Sequence, residues 1–173
     1  MKPYRGTLQA AAVLLASLSM FGCGNPIDGG SGPSGSYVSV TSVLPTSLEP
    51  NIAENANSYT LVTMINESAP NSKDPTNSRV TMSRYRVDFT GLNKSVTIPT
   101  IDGGGQTVSI APGLTGSMEV LVMDAATLEY IREHYPEVGS GDSLTLRAHI
   151  TIWGEDTFKV TVQTQAEITL VVQ

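Results

Sequence analysis

A chain of 173 residues suits one domain, or one domain with a leader and a linker. An apolar fraction of 40% with near-zero mean hydropathy fits a soluble globular fold, and a formal charge of −6 excludes bulk attraction to nucleic acid or to an anionic lipid surface. Cys23 is the one cysteine, which excludes an internal disulfide and leaves the core to hold by packing.

Lys2 and Arg5 give the chain a positive start, and Leu8 to Phe21 form an apolar run broken by Gln9, Ser17 and Ser19. The run is too short to cross about 30 Å of hydrocarbon, which takes about 20 helical residues. It ends in Met20-Phe21-Gly22-Cys23, and a Gly/Pro/Ser-rich stretch follows. This segment resembles the signal peptide of bacterial lipoproteins. Cys23 and Gly22 match that family's box, whereas Met20 and Phe21 depart from it. The resemblance implies cleavage before Cys23, a diacylglyceryl thioether on its sulfur and a further acyl chain, such as palmitate, on its new amino group. Several acyl chains, at about 0.8 kcal/mol per buried methylene, hold a protein firmly on a membrane. Gly24 is similar to the outer-membrane pattern of Gram-negative lipoproteins, where Asp signals inner-membrane retention. An uncleaved anchor or an ordinary secretory signal is the alternative.

Residues 1–22 are thus expected to be a leader. Residues 23–36, with five glycines and two prolines after Cys23, read as a linker. As a coil of 13 residues, its root-mean-square reach is roughly 20 Å. The folded domain is expected over residues 37–173.

From Tyr37 onward the apolar residues recur with period two. Tyr37 to Leu44 and Ser58 to Ile65 read as strands, and Asn66 to Ser78 as a polar loop. Arg79 to Phe89 is a strand whose parity changes between Met82 and Tyr85, which predicts a bulge near Ser83-Arg84. Lys94 to Ile98 reads as a short strand, Gly103-Gly104-Gly105 as a turn, and Gln106 to Ile110 and Ser117 to Met123 as strands. Asp124 to Tyr135 is the helical candidate, capped by Asp124 and stopped by Pro136, with Leu128, Ile131 and Tyr135 on one face. Leu144 to Trp153 and Phe158 to Leu170 alternate apolar with polar residues around an expected turn at Gly154-Glu155-Asp156, the pattern of an antiparallel hairpin.

Strands at this spacing predict an all-β fold, an antiparallel two-layer sandwich with one short helix in a crossover. The pattern is similar to immunoglobulin-like and fibronectin-III-like domains of bacterial surface proteins, from Tyr37 to the C-terminus. A closed barrel, with its first and last strands paired, is the alternative.

Gly141-Asp142-Ser143-Leu144 copies the G-D-S-L string of a hydrolase family, but it precedes a strand near the C-terminus and lacks the downstream Asp-x-x-His, so it reads as a turn. His134 and His149 are the two histidines, and no spacing draws them together as metal ligands. Asp102, Asp142, Glu155 and Asp156 fall near expected loops without a calcium-loop pattern and read as a solvated acidic rim. Gly103-Gly104-Gly105 is not followed by the helix a phosphate site needs. Trp153, Arg147 and His149 share the polar parity of one strand and are the candidate ligand-binding residues; Arg84, Tyr85 and Arg86 form a small basic spot. The expected protein has no catalytic site, metal or cofactor. It is a membrane-tethered envelope protein, held by Cys23 at the periplasmic or surface face, with a protein partner in the envelope. A carbohydrate- or calcium-binding module is the alternative.

Overall fold

The computed structural model describes residues 36–69 and 78–173; the leader, Cys23 and all of the linker except Ser36 lie outside the described residues. Among the described residues, eight strands and one helix follow in chain order: β1 Val38–Leu44, β2 Ser47–Leu48, β3 Ser58–Asn66, β4 Val80–Gly91, β5 Ile101–Ile110, β6 Thr115–Met123, α1 Ala125–His134, β7 Leu144–Asp156 and β8 Thr161–Val172. The chain is mostly β, as its alternation predicted. One sheet is ordered β1-β3-β6, the other β2-β8-β7-β4-β5.

The period-two pattern decides which way each strand faces. Thr60, Val62 and Met64 of β3, Met118, Val120 and Val122 of β6, and Leu144, Leu146, Ala148, Ile150 and Ile152 of β7 are all buried. They meet Val162, Ala166, Ile168, Leu170 and Val172 of β8 in one core that draws on both sheets. Each buried Leu or Ile contributes about 1.5–3 kcal/mol relative to exposure, so this two-sided core is the dominant stabilising term. Helix α1 connects β6 of the small sheet to β7 of the large one, as expected. Asp124 caps it by accepting from the Thr127 amide at 2.7 Å, and Leu128 and Ile131 enter the core. Tyr135 ends it, and its hydroxyl accepts from the Thr97 amide at 3.0 Å.

The bulge lies where the parity change put it. The pairing of β4 with β5 and with β7 shifts between Met82 and Arg84, so Val80, Met82, Tyr85 and Val87 all turn inward. Four expectations are corrected. Lys94 to Ile98 is not a strand: the segment is held as a loop by Asn93, whose side chain donates to the Ser143 carbonyl at 2.8 Å and accepts from the Thr145 amide at 2.9 Å. The Gly103-Gly104-Gly105 run is not a turn but the middle of β5, with Gly103 opposite Tyr85. A side chain at Gly103 would meet the Tyr85 ring at 2.0 Å, so the glycine provides the space in which that ring lies. The Tyr85 hydroxyl thereby reaches the Leu121 amide at 3.1 Å, and Gln106 accepts from the Glu119 amide at 3.3 Å. These contacts occupy backbone donors on the edge of β6 away from β3, which would otherwise invite pairing with another chain.

Third, Gly154-Glu155-Asp156 belongs to β7, and the turn falls at residues 157–160; Phe158, expected to alternate into the core, lies exposed in that turn. Fourth, the large sheet is mixed rather than purely antiparallel, because β2 runs parallel to β8, with Ser47 opposite Thr169. The strands do not close into a barrel through first and last: β1 pairs with β3 in one sheet, and β8 lies in the other.

The expected polar loop after β3 hides a buried anchor. Asn66 is fully buried; its amide donates to the Ser78 carbonyl at 2.7 Å and the Ile110 carbonyl at 2.9 Å, and its carbonyl accepts from the Ser68 amide at 3.0 Å.

Candidate functional site

Two outward faces carry the candidate groups. On the large sheet, β7 presents Arg147, His149, Thr151 and Trp153 to solvent at alternate positions, so all three sequence-predicted residues share one face. They are strung along the strand rather than gathered over a cleft, with Arg147 and Trp153 separated by about 20 Å of strand. Cross-strand partners hold each in place. The Trp153 indole donates to the Gln163 side chain at 3.0 Å, and the Arg84 guanidinium lies 6.0 Å from its ring centroid. His149 Nδ1 lies 2.9 Å from a Glu167 carboxylate oxygen, and Nε2 lies 3.3 Å from the Thr90 hydroxyl. Arg147 approaches the same carboxylate at 3.7 Å. A shallow groove of about 340 Å³ runs between Asp88, His149, Thr151, Gln165 and Glu167. Sequence reading missed Gln163, Gln165 and Glu167 as members of this face, since register alone sets them opposite Trp153, Thr151 and His149.

The basic spot at Arg84 and Arg86 divides. Arg84 serves the indole, and Arg86 pairs with Asp102 at 2.8 Å on β5. The Arg86 hydrogen bond, with its charge, holds the Asp102 carboxyl below the usual carboxylate range. This pair stabilises the fold above the unfolded carboxylate pKa of about 3.9 and loses that contribution as pH falls through the lower folded value. Both groups are exposed, so the expected effect is small. Between pH 5 and pH 3 the wild type should lose slightly more urea stability than Asp102→Asn, and identical acid limbs would show the pair to be inert.

The other acidic candidates do not converge. Asp142, with Glu137, binds Lys94 at 3.1 and 3.2 Å, and Glu155 lies 3.4 Å from Lys159. Asp156, expected on a solvated rim, is instead buried at 3% exposure, where it accepts from the Phe158 and Val160 amides at 2.8 and 2.9 Å and from the Ser36 hydroxyl at 2.9 Å. Its carboxylate organises the β7–β8 turn. Among the described residues, no three His, Cys, Asp or Glu side chains approach as a metal set. His134 stacks on Tyr130 with ring centroids 4.0 Å apart, and its Nδ1 lies 2.9 Å from the Tyr130 carbonyl. Ser143 follows Gly141, whose φ of +116° marks the tight turn read from the sequence. His149 lies six residues further along β7, about 20 Å away by strand rise.

The second face was not singled out from the sequence. On the outside of the small sheet, Leu44 of β1 stands opposite Leu61 of β3, Tyr59 lies two residues along, and half-buried Leu121 of β6 stands opposite Tyr59. Leu44, Tyr59 and Leu61 are exposed by 60, 44 and 42%, on a face that also carries Ser39, Ser42, Thr63, Ile65, Thr115, Ser117 and Glu119, the last standing opposite Leu61. The signal was present in the period-two pattern: apolar residues occupy both parities at this end of β3.

Neither a protein-family model nor a curated protein matches the chain. Among solved structures, a late embryogenesis abundant (LEA) protein matches at 13% identity over 78% of this chain and 71% of its own, with a TM-score of 0.37. A β-glucosidase from Kluyveromyces marxianus matches at 9% identity, with a TM-score of 0.29, over 80% of this chain but 15% of the glucosidase.

Proposed function

We propose that the chain is a lipid-anchored protein of a bacterial envelope, a non-catalytic domain that binds a protein partner. The anchor is Cys23, and the location is the outer membrane, on its periplasmic or surface face. The domain is immunoglobulin-like in this reading. The strand orders support it: under immunoglobulin lettering β1-β3-β6 would correspond to A-B-E and β8-β7-β4-β5 to G-F-C-C′. The observation that carries the docking role is the Leu44–Leu61–Tyr59 strip, an apolar patch on a hydroxyl-rich sheet face. Its partner is a protein presenting an apolar strip of its own.

A photo-crosslinking phenylalanine analogue at Tyr59 should give one discrete adduct in intact cells. Leu44→Ser with Leu61→Ser should abolish it, and the same probe at Gln163 should not form it. Background adducts equal at both positions would overturn the docking role. An alkyne fatty acid should label the wild type and not Cys23→Ser; an unlabelled wild type would overturn the anchor.

Carbohydrate binding is the second reading, and it rests on Trp153, an aromatic flanked by Arg84 and Gln163, with His149 and Arg147 further along the strand. It requires the Trp153 emission to shift on adding a glycan. Calcium as the ligand has less support, since Asp102, Asp142 and Glu155 each face a cation of the protein itself.

A further inference from the structure

We infer that the pole of the domain at which the chain enters from Cys23 is itself a membrane-contacting surface, seated on the same bilayer that holds the anchor; this rests on the lipid-anchor reading above. Three exposed apolar side chains sit at this pole on separate segments: Tyr37 at the domain's start, Leu114 before β6 and Phe158 in the β7–β8 turn, exposed by 41, 60 and 52%. A short chain of hydrogen bonds ties the three segments together. The Asn66 amide donates to the Leu114 carbonyl at 3.1 Å and the Glu67 amide to the Tyr37 carbonyl at 2.9 Å. Ser36 donates to Asp156, and Asp156 accepts from the Phe158 amide at 2.8 Å. The backbone of each segment carrying an apolar tip is therefore held before any contact and does not have to be ordered on binding, which lowers the entropic cost of contact.

What lies against them is set by the chain outside the described residues. Thirteen residues separate Cys23 from Tyr37, and if they behave as the coil their composition predicts, their root-mean-square reach is roughly 20 Å, which keeps the pole near the lipid surface. Tethering makes the contact intramolecular, so a weak interfacial affinity suffices. A leucine, a phenylalanine and a tyrosine suit the interface, where apolar bodies enter the acyl boundary and the tyrosine hydroxyl stays wet. Lys159, with its side chain 83% exposed beside Phe158 and 3.4 Å from Glu155, can lay its stem along the apolar boundary, and its ammonium would reach headgroup phosphates only by leaving that exposed pair. Seated this way, the strands stand upright on the bilayer and both sheet faces, with the Leu44–Leu61–Tyr59 strip and the Trp153 row, remain open to solution.

The test uses the full lipidated protein in phosphatidylethanolamine–phosphatidylglycerol vesicles. An environment-sensitive label is placed at one position per sample: Leu114→Cys, Phe158→Cys, or, at the opposite pole, Leu92→Cys. Lipid-borne nitroxide should quench the labels at 114 and 158 at least about threefold more than the label at 92, since contact between loop tips and acyl chains is short-ranged. Phe158→Asp with a label at 114 should remove most of that difference while the protein still floats with the vesicles. Equal quenching at all three positions in floating protein overturns the seated pole and leaves the anchor standing. Failure to float overturns the anchor. Crosslinking between copies at Leu114 with no lipid quenching would make this pole a dimer contact and also overturns the inference.

Discussion

Gly154→Ala should lower the thermal midpoint by roughly 10 °C or prevent folding, a loss of about 3 kcal/mol or more. Gly154 stands on β7 opposite Met82, beside the bulge of β4. A Cβ there would lie 2.1 Å from the Thr81 carbonyl oxygen and 2.7 Å from the Met82 Cα. Both are backbone atoms, so relief requires separating β4 from β7, two central strands of the large sheet. Gly103→Ala provides the comparison. Its Cβ would meet the far end of the Tyr85 side chain, which can swing aside at the loss of the hydrogen bond to Leu121. The order of the two midpoints, Gly154→Ala below Gly103→Ala, is the decisive readout in a thermal melt followed by circular dichroism. A Gly154→Ala protein as stable as wild type would mean the bulge does not bring β4 so close.

Asn66→Ala should cost about 3–5 kcal/mol. The side chain satisfies the carbonyls of Ser78 and Ile110 and the amide of Ser68, and each buried backbone group left without a partner costs about 1–3 kcal/mol. Asn66 joins the end of β3 to the segments leading into β4 and out of β5, so its loss loosens three strand ends together. Urea unfolding should show a lower midpoint with an unchanged slope. Asn66→Asp should be destabilising too, because a carboxylate cannot donate to the two carbonyls. A change below about 1 kcal/mol for the alanine variant would mean water replaces the amide without penalty. The same substitution bears on the membrane-facing pole, since Asn66 positions the Leu114 segment through its backbone.

The candidate site was partly legible. Parity placed Trp153, His149 and Arg147 on one face because β7 is long, regular and buried on its other side. Their partners Gln163, Glu167 and Arg84 were not, because pairing register depends on where the hairpin turns. The expected turn at Gly154 to Asp156 was displaced: Gly154 is there to admit a neighbouring strand, and the turn instead forms around the buried Asp156 carboxylate.

Alternation alone determined that the chain is mostly β, that one helix follows Asp124, and that β4 carries a bulge near Ser83-Arg84, because each is a local property of side-chain spacing. Tertiary structure decided what Gly103, Gly154, Asn66 and Asp156 do. Glycine reads as a turn and Asn or Asp as a loop when only neighbours in sequence are counted. Here two glycines lie under a tyrosine ring and a strand backbone, and Asn66 is buried among carbonyls of strand ends distant in sequence. Those roles depend on partners far along the chain, which no local pattern encodes, whereas Asp156 combines a local turn to Phe158 and Val160 with the distant Ser36 hydroxyl.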